Sequence, residues 1–220
     1  MRRSTLSFML SVVASFMLLI GASAPAAALE NAFGYAYDAN TATYAAIEAG
    51  YPAIRDGNTF LYNFQYMRTG NQKIINGNTL YVEIGWWKAG SSGNNLFYYW
   101  TYRNTNLNTD YGYGSGPGCC NGYNYQVENF GGGNWALYYN ALDVPVVAVN
   151  TGYDSADDWF SGGETSSASN AMGVSGNYNV AYKQNGTWLG AGHWQPFITN
   201  SEYYVNPYAN DTSWQVYGNN

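Results

Sequence analysis

The sequence predicts an all-β fold of many short antiparallel strands, and three observations carry that expectation. Aromatic residues make up 18% of the chain, with 23 Tyr and 8 Trp, while 26 residues are Gly and only 10% are charged. Aromatic and β-branched side chains suit pleated sheets, and Gly and Asn suit the turns between them. Alternating apolar runs are separated by turn signals, and Asp56-Gly57, Asn76-Gly77, Asn121-Gly122 and Asn185-Gly186 are pairs favoured in tight hairpins. No rhythm of strand, long helix and strand runs through the chain. An antiparallel sandwich or barrel in one domain therefore follows.

The first segment in chain order is not structural. Arg2 and Arg3, the apolar run Leu6 to Ile20, and Ala24-Pro25-Ala26-Ala27-Ala28 have the layout of a secretory signal peptide over residues 1–28. A secreted chain beginning at Leu29 or Glu30 is expected. No other stretch approaches the ~18 apolar residues of a membrane span, so no membrane association is expected after signal removal. Residues 29–220 form the single domain, with 29–68 a candidate N-terminal strap or short pro-segment. Within it, Asn40–Ala49 is the one helix candidate, with Thr41 or Thr43 as cap and Gly50 as stop.

Strands are predicted at Thr59–Arg68, Thr79–Lys88, Leu96–Tyr102, Gly122–Asn129, Asn134–Asn140 and Val144–Asn150. Others follow at Gly163–Ser167, Asn177–Lys183, Thr187–Trp194 and Ser213–Tyr217, with a short turn at Asp154–Phe160. Without Arg2 and Arg3, six basic residues face fourteen acidic ones, a net charge of −8. That balance argues against nucleic acid and anionic membranes as partners. Cys119 and Cys120 are adjacent and could form a vicinal disulfide or remain as thiols, since export permits but does not impose a bridge. With the single His193 they give no metal-ligand spacing, and no cofactor is implied.

The most informative residue is Glu83, a carboxylate in the middle of Leu80-Tyr81-Val82-Glu83-Ile84-Gly85-Trp86-Trp87. Alternation puts Leu80, Val82, Ile84 and Trp86 on a core face, and Tyr81, Glu83, Gly85 and Trp87 on the other. An acid among aromatics suits a substrate cleft better than open solvent. Glu164, in Gly162-Gly163-Glu164, is the candidate partner. Two carboxyls in one cleft can divide the labour, one as general base on a water and the other as proton donor. Most other acids sit near turns, where Asp is common for backbone reasons.

Glu83-Ile84-Gly85-Trp86-Trp87 followed by Leu96-Phe97-Tyr98-Tyr99-Trp100-Thr101 resembles the first catalytic segment of neprosin-type glutamic peptidases. Gly162-Gly163-Glu164 resembles the segment bearing that family's second catalytic Glu. More distantly, the chain is similar to the eqolisin-type glutamic peptidases, which pair a Gln with a Glu on a β-sandwich. The fold expected for the chain is a concanavalin-like or jelly-roll sandwich, and a monomer is expected. The resemblance implies a concanavalin-like sandwich and an acid-acting endopeptidase without metal. It also implies Glu83 and Glu164 as the catalytic pair, a polypeptide substrate and a preference for proline-containing sites. Tyr81, Trp87 and Trp100 are candidates to line the substrate groove, whereas Trp86 belongs to the core face. The adjacency of Cys119 and Cys120 and the short N-terminal segment depart from the neprosin pattern.

Two rival readings share the same palette. A jelly-roll glycoside hydrolase would also use two strand-borne Glu residues, and a carbohydrate-binding or adhesion module would use the aromatics as stacking platforms. A structural alternative pairs Glu83 with Arg68 or Arg103. His193 has no nucleophile in a triad context and is expected to pack beside Trp194 or to bond a loop.

Overall fold

The computed structural model describes residues 30–218 except 51, 56–58, 71–73, 91, 92, 94 and 209. The segment read as a signal peptide and the expected Asp56-Gly57 turn lie outside the described residues. The strands run β1 Glu30–Ala36, β2 Ala42–Glu48, β3 Phe60–Thr69, β4 Ile74–Ile75, β5 Asn78–Thr79, β6 Tyr81–Ala89, β7 Phe97–Arg103 and β8 Thr109–Ser115. They continue with β9 Gly122–Gly131, β10 Asn134–Tyr139, β11 Val147–Asn150, β12 Ala156–Thr165 and β13 Ser175–Gln184. The last four are β14 Thr187–Gly190, β15 Gln195–Ile198, β16 Tyr203–Tyr208 and β17 Asn210–Gly218.

Two antiparallel sheets hold nearly all of them. One has seven strands in the order β15-β1-β12-β3-β6-β7-β8; the other follows β11-β10-β9-β2-β13-β17-β16, with β14 paired to β13. Their facing sides make the core. Val82, Ile84, Trp86, Met67 and Trp159 of the first sheet meet Ile47, Val127, Leu137, Val180 and Trp214 of the second. Each such fully buried apolar side chain contributes about 1.5–3 kcal/mol relative to exposure, so the facing sides bind the sheets together. A polar seam crosses the same space: Thr43 Oγ1 donates to Gln65 Oε1 (3.0 Å) and Ser161 Oγ donates to Asn177 Oδ1 (2.9 Å). Gln65 Nε2 donates to Ser161 Oγ and joins the two links.

The helix expected at Asn40–Ala49 is instead strand β2. It pairs with β9 along one edge and β13 along the other, deep inside the second sheet. Alanine-rich sequence has helical propensity, but Thr43, Ala45 and Ile47 bury one pleated face against the opposite sheet. The turn expected at Asp154–Phe160 becomes the start of β12. Residues 30–68, read from sequence as a strap or pro-segment, supply β1, β2 and most of β3.

Two of the Asn-Gly pairs make the expected turns. Asn76 and Gly77 have φ of 50° and 80° between β4 and β5, and Asn185 and Gly186 have the same values between β13 and β14. Consecutive positive φ angles are the requirement of a type I′ turn. Asn121-Gly122 makes no such turn; the positive φ falls on Cys120, and Gly122 already opens β9. Cys119 and Cys120 are joined as a vicinal disulfide.

Candidate active site

The outer face of the seven-stranded sheet, away from its partner, carries a second aromatic cluster of Phe33, Phe60, Tyr62, Phe64, Tyr66, Tyr81, Tyr99 and Phe160. Both candidate carboxyls belong to this face. Glu83 on β6 lies opposite Tyr66 of β3, and Glu164 on β12 lies opposite Tyr62. Strand β3, fourth of the seven, therefore runs between them, and they are staggered by the four residues that separate Tyr66 from Tyr62. Alternation alone dictates the shared face, because Tyr62, Phe64 and Tyr66 all project to it.

Two tyrosines span the stagger. The Tyr99 hydroxyl donates to Glu83 Oε1, and the Tyr62 hydroxyl bonds the Glu164 carboxyl. The two rings meet edge to face, with centroids 5.8 Å apart. Glu164 Oε1 has no hydrogen-bond partner among the described residues, so this carboxyl keeps an acceptor for a water or a substrate amide. Both acids are almost completely buried, at 1% exposure for Glu83 and 3% for Glu164.

Burial sets their protonation. It pushes Glu83 up to about 8, against the lowering influence of the Tyr99 hydrogen bond. Glu164 is also pushed up to about 8, by burial first and then by repulsion from Glu83, with the Tyr62 hydrogen bond acting the other way. The pair is thus coupled: removing one proton makes the second harder to remove. Tyr62 and Tyr99 are held well above the ordinary phenol range by burial and then by the carboxyls, so they remain neutral donors.

The glycines of the two motifs have a geometric role. A Cβ on Gly85 would stand 2.1 Å from the Asn63 carbonyl oxygen and 2.7 Å from Phe64 Cα. One on Gly162 would stand 2.4 Å from Phe33 Cα, at a φ of +154°. Gly85 is also the register partner of Tyr99, whose hydroxyl donates to Glu83. Gly85→Ala should lower the melting temperature by about 2–12 °C, from a backbone clash costing about 1–3 kcal/mol. A thermal melt at the wild-type temperature would show that β3 can move aside.

The structure sorts the other expected groove residues. Trp87 faces the pair's side, lies opposite Tyr62 and stacks on Phe97 with centroids 5.3 Å apart. Tyr81 shares the face but is buried, stacked on Tyr66 at 5.4 Å beneath the Arg103 guanidinium. Trp100 does not line the groove. It is the register partner of Ile84 and packs against the core between the sheets, because alternation places it opposite to Tyr99 and Thr101. Trp86 is fully buried in that core.

The cations proposed as structural partners of Glu83 are engaged elsewhere. Arg68 forms a buried ion pair with Asp158, whose carboxyl burial raises to about 6 against the pull of that guanidinium. Arg103 Nε donates to Thr109 Oγ1 at 3.2 Å. His193 bonds Asp38 Oδ2 at 2.6 Å and meets the Tyr182 ring edge-on, tying one loop to another. Sequence reasoning missed Tyr62 and Tyr99. Nothing in their local pattern separates them from the many other tyrosines; only the cross-strand register does.

Comparison with solved structures adds the decisive observation about architecture. The chain superposes on scytalidoglutamic peptidase bound to a peptide-based transition-state analogue with a TM-score of 0.61, covering 86% of this chain and 98% of that one at 7% identity. It shares their fold. A second scytalidoglutamic peptidase complex, with a transition-state analogue inhibitor, gives 0.59 over 84% and 96% at 11% identity. SCP-B, a member of the eqolisin family of peptidases in complex with the tripeptide Ala-Ile-His, gives 0.55 over 86% and 98% at 9% identity. No protein-family model and no curated protein matches the chain. At these identities the likeness is one of fold.

Proposed function

We propose that this chain is a secreted glutamic peptidase in which Glu83 and Glu164 together activate water for peptide-bond hydrolysis. The observation that carries the reading is the pair itself: two buried, electrostatically coupled carboxyls on one sheet face, each bonded to a tyrosine. The fold is one that solved peptidases also adopt. In the singly ionised pair, the carboxylate takes a proton from a water that attacks the peptide carbonyl. The protonated member polarises the carbonyl oxygen and then protonates the leaving amine. Tyr62 and Tyr99 hold the two carboxyls in place, and Trp87 forms a wall for the substrate.

The resemblance implies an acid optimum and a preference for proline-containing substrates, while the burial of this pair moves the expected pH window upward. Water activation needs one carboxylate, and with both groups raised to about 8 the singly ionised form accumulates above the ordinary carboxyl range. A proline-containing peptide library assayed from pH 3 to 9 tests the reading. We expect cleavage with a bell-shaped kcat/KM whose acidic limb lies above pH 5. Hydrolysis of a polysaccharide with no peptide cleaved at any pH would sink it.

A further inference from the structure

The stack of Trp87 on Phe97 continues into a third ring at the β8 edge of the sheet. Strand register puts Glu164, Tyr62, Trp87 and Phe97 in one row across β12, β3, β6 and β7. The neighbouring row of Gly162, Phe64, Gly85 and Tyr99 ends in Tyr113 of β8. Side chains on one sheet face recur at every second residue, so Trp87, Phe97 and Tyr113 project to the side that carries both glutamates. The three rings touch. Trp87 and Phe97 stack at 5.3 Å, and Tyr113 stands at 84° to both, 6.1 Å from Trp87 and 5.9 Å from Phe97.

Exposure separates these rings from the floor. Tyr62, Phe64, Tyr66 and Tyr99 are at most 3% exposed, whereas Tyr113 is 61% exposed and Trp87 and Phe97 are half-buried. On the opposite flank, Phe197 stacks on Phe33 and Tyr35 stacks on Phe160, so those rings cover one another. The β8 flank is instead an open right-angled corner of large apolar surface, and such contiguous surface marks a binding site more than a lone exposed ring does. Its chemistry is neutral. Arg68 and Arg103 lie in a row with Tyr81, beyond Glu83 and at the other end of the face.

The corner is at peptide distance from the pair. Neighbouring strands lie ~4.8 Å apart, which puts Trp87 about 10 Å and Phe97 about 14 Å from Glu164 along their row. An extended peptide advances ~3.3 Å per residue, so a chain held over the Glu pair brings a side chain about three positions away onto the corner.

We infer that Trp87, Phe97 and Tyr113 form a specificity subsite for an aromatic side chain of the peptide substrate, on one side of the scissile bond. Rings at right angles can hold a guest ring by stacking on one wall and meeting the other edge-on, the two arrangements that aromatic pairs prefer. This inference rests on the peptidase reading and deepens it.

The test uses the processed protein and matched peptides with Phe, Leu or Ala at each position on either side of the scissile bond. The wild type should favour Phe over Ala at one position by about tenfold or more in kcat/KM. Tyr113→Ala and Phe97→Ala should each lower that ratio severalfold. Tyr113→Phe should keep it, because the ring and not the hydroxyl makes the corner. Tyr111→Ala, on the same strand and face but in the row of Glu83, should keep it too. A ratio near one at every position, or a preference that Tyr113→Ala leaves intact, would overturn the inference.

Binding measured without turnover keeps it separate from the peptidase reading. Calorimetric titration of the same peptides into Glu164→Gln should show tighter binding of the Phe form, and Tyr113→Ala in that background should remove the difference. If no peptide is cleaved at any pH but this preference persists, the peptidase reading fails and the corner stands as a peptide-binding site. If peptides are cleaved with no preference that Tyr113→Ala alters, the corner fails and the peptidase stands. An oligosaccharide that binds through Tyr113 where no peptide binds would overturn both.

Discussion

Glu164→Gln and Glu83→Gln should each cut peptide hydrolysis sharply, and by unequal amounts. An amide cannot take a proton from water, so replacing the member that serves as base should lower kcat by about 10³-fold or more. An amide can still donate a hydrogen bond to a carbonyl oxygen. Replacing the proton-donating member should therefore cost less, about 10–10²-fold, and should remove the alkaline limb of the pH profile that reports its proton. The variant with residual activity identifies the donor. Both substitutions keep the shape of a buried side chain that already has a tyrosine partner, so circular dichroism and melting at pH 5 should match the wild type. Wild-type turnover in either variant would remove that residue from the mechanism.

The second large effect concerns stability and needs no substrate. Glu83 and Glu164 are raised to about 8 in the fold, whereas a Glu in the unfolded chain titrates near its ordinary value of about 4.3. Between those values the folded protein holds protons that the unfolded chain has released. Stability should therefore be fully present below about pH 4.3 and be lost progressively as pH rises toward 8. Asp158, raised to about 6, adds to the same slope over its lower part.

We expect the melting temperature to fall by at least about 5 °C between pH 4.5 and pH 8, since each kcal/mol moves a domain of this size by about 2–4 °C. The double variant Glu83→Gln/Glu164→Gln should flatten most of that dependence by leaving no buried carboxyl to ionise on this face. A wild type equally stable at both pH values would mean that the pair titrates as if hydrated. Acid tolerance of the fold and the proposed water activation would share one cause, the burial of two acids on an aromatic sheet face.

Much of this was legible along the chain. Alternation around Glu83 assigned Trp86 to the core and Glu83 to the opposite face, and the structure places both there, because side-chain direction in a strand has period two. The same rule puts Trp87 on the face of Glu83, where the register with Tyr62 also has it. It could not be extended to Trp100, since the parity of β7 relative to β6 depends on how many residues the intervening turn consumes. A slip of one residue would turn Trp100 toward the groove and Tyr99 toward the core. Asn40–Ala49 failed for a different reason: its alanines carry helical propensity, and only the strands β9 and β13 on either side make it a strand.

What the sequence by itself determined was the all-β class, most of the strands, the Asn76-Gly77 and Asn185-Gly186 turns and the peculiarity of Glu83. Local backbone preference and alternation are properties of neighbouring residues, so they can be read without the fold. The tertiary structure decided that Glu83 and Glu164 share a face across β3, that Tyr99 and Tyr62 bond them, and that β3 passes too close to Gly85 for any side chain there. It also decided that Trp87, Phe97 and Tyr113 meet on that face. Each of those depends on register between strands distant in sequence, and register is settled only when the two sheets close over their common core.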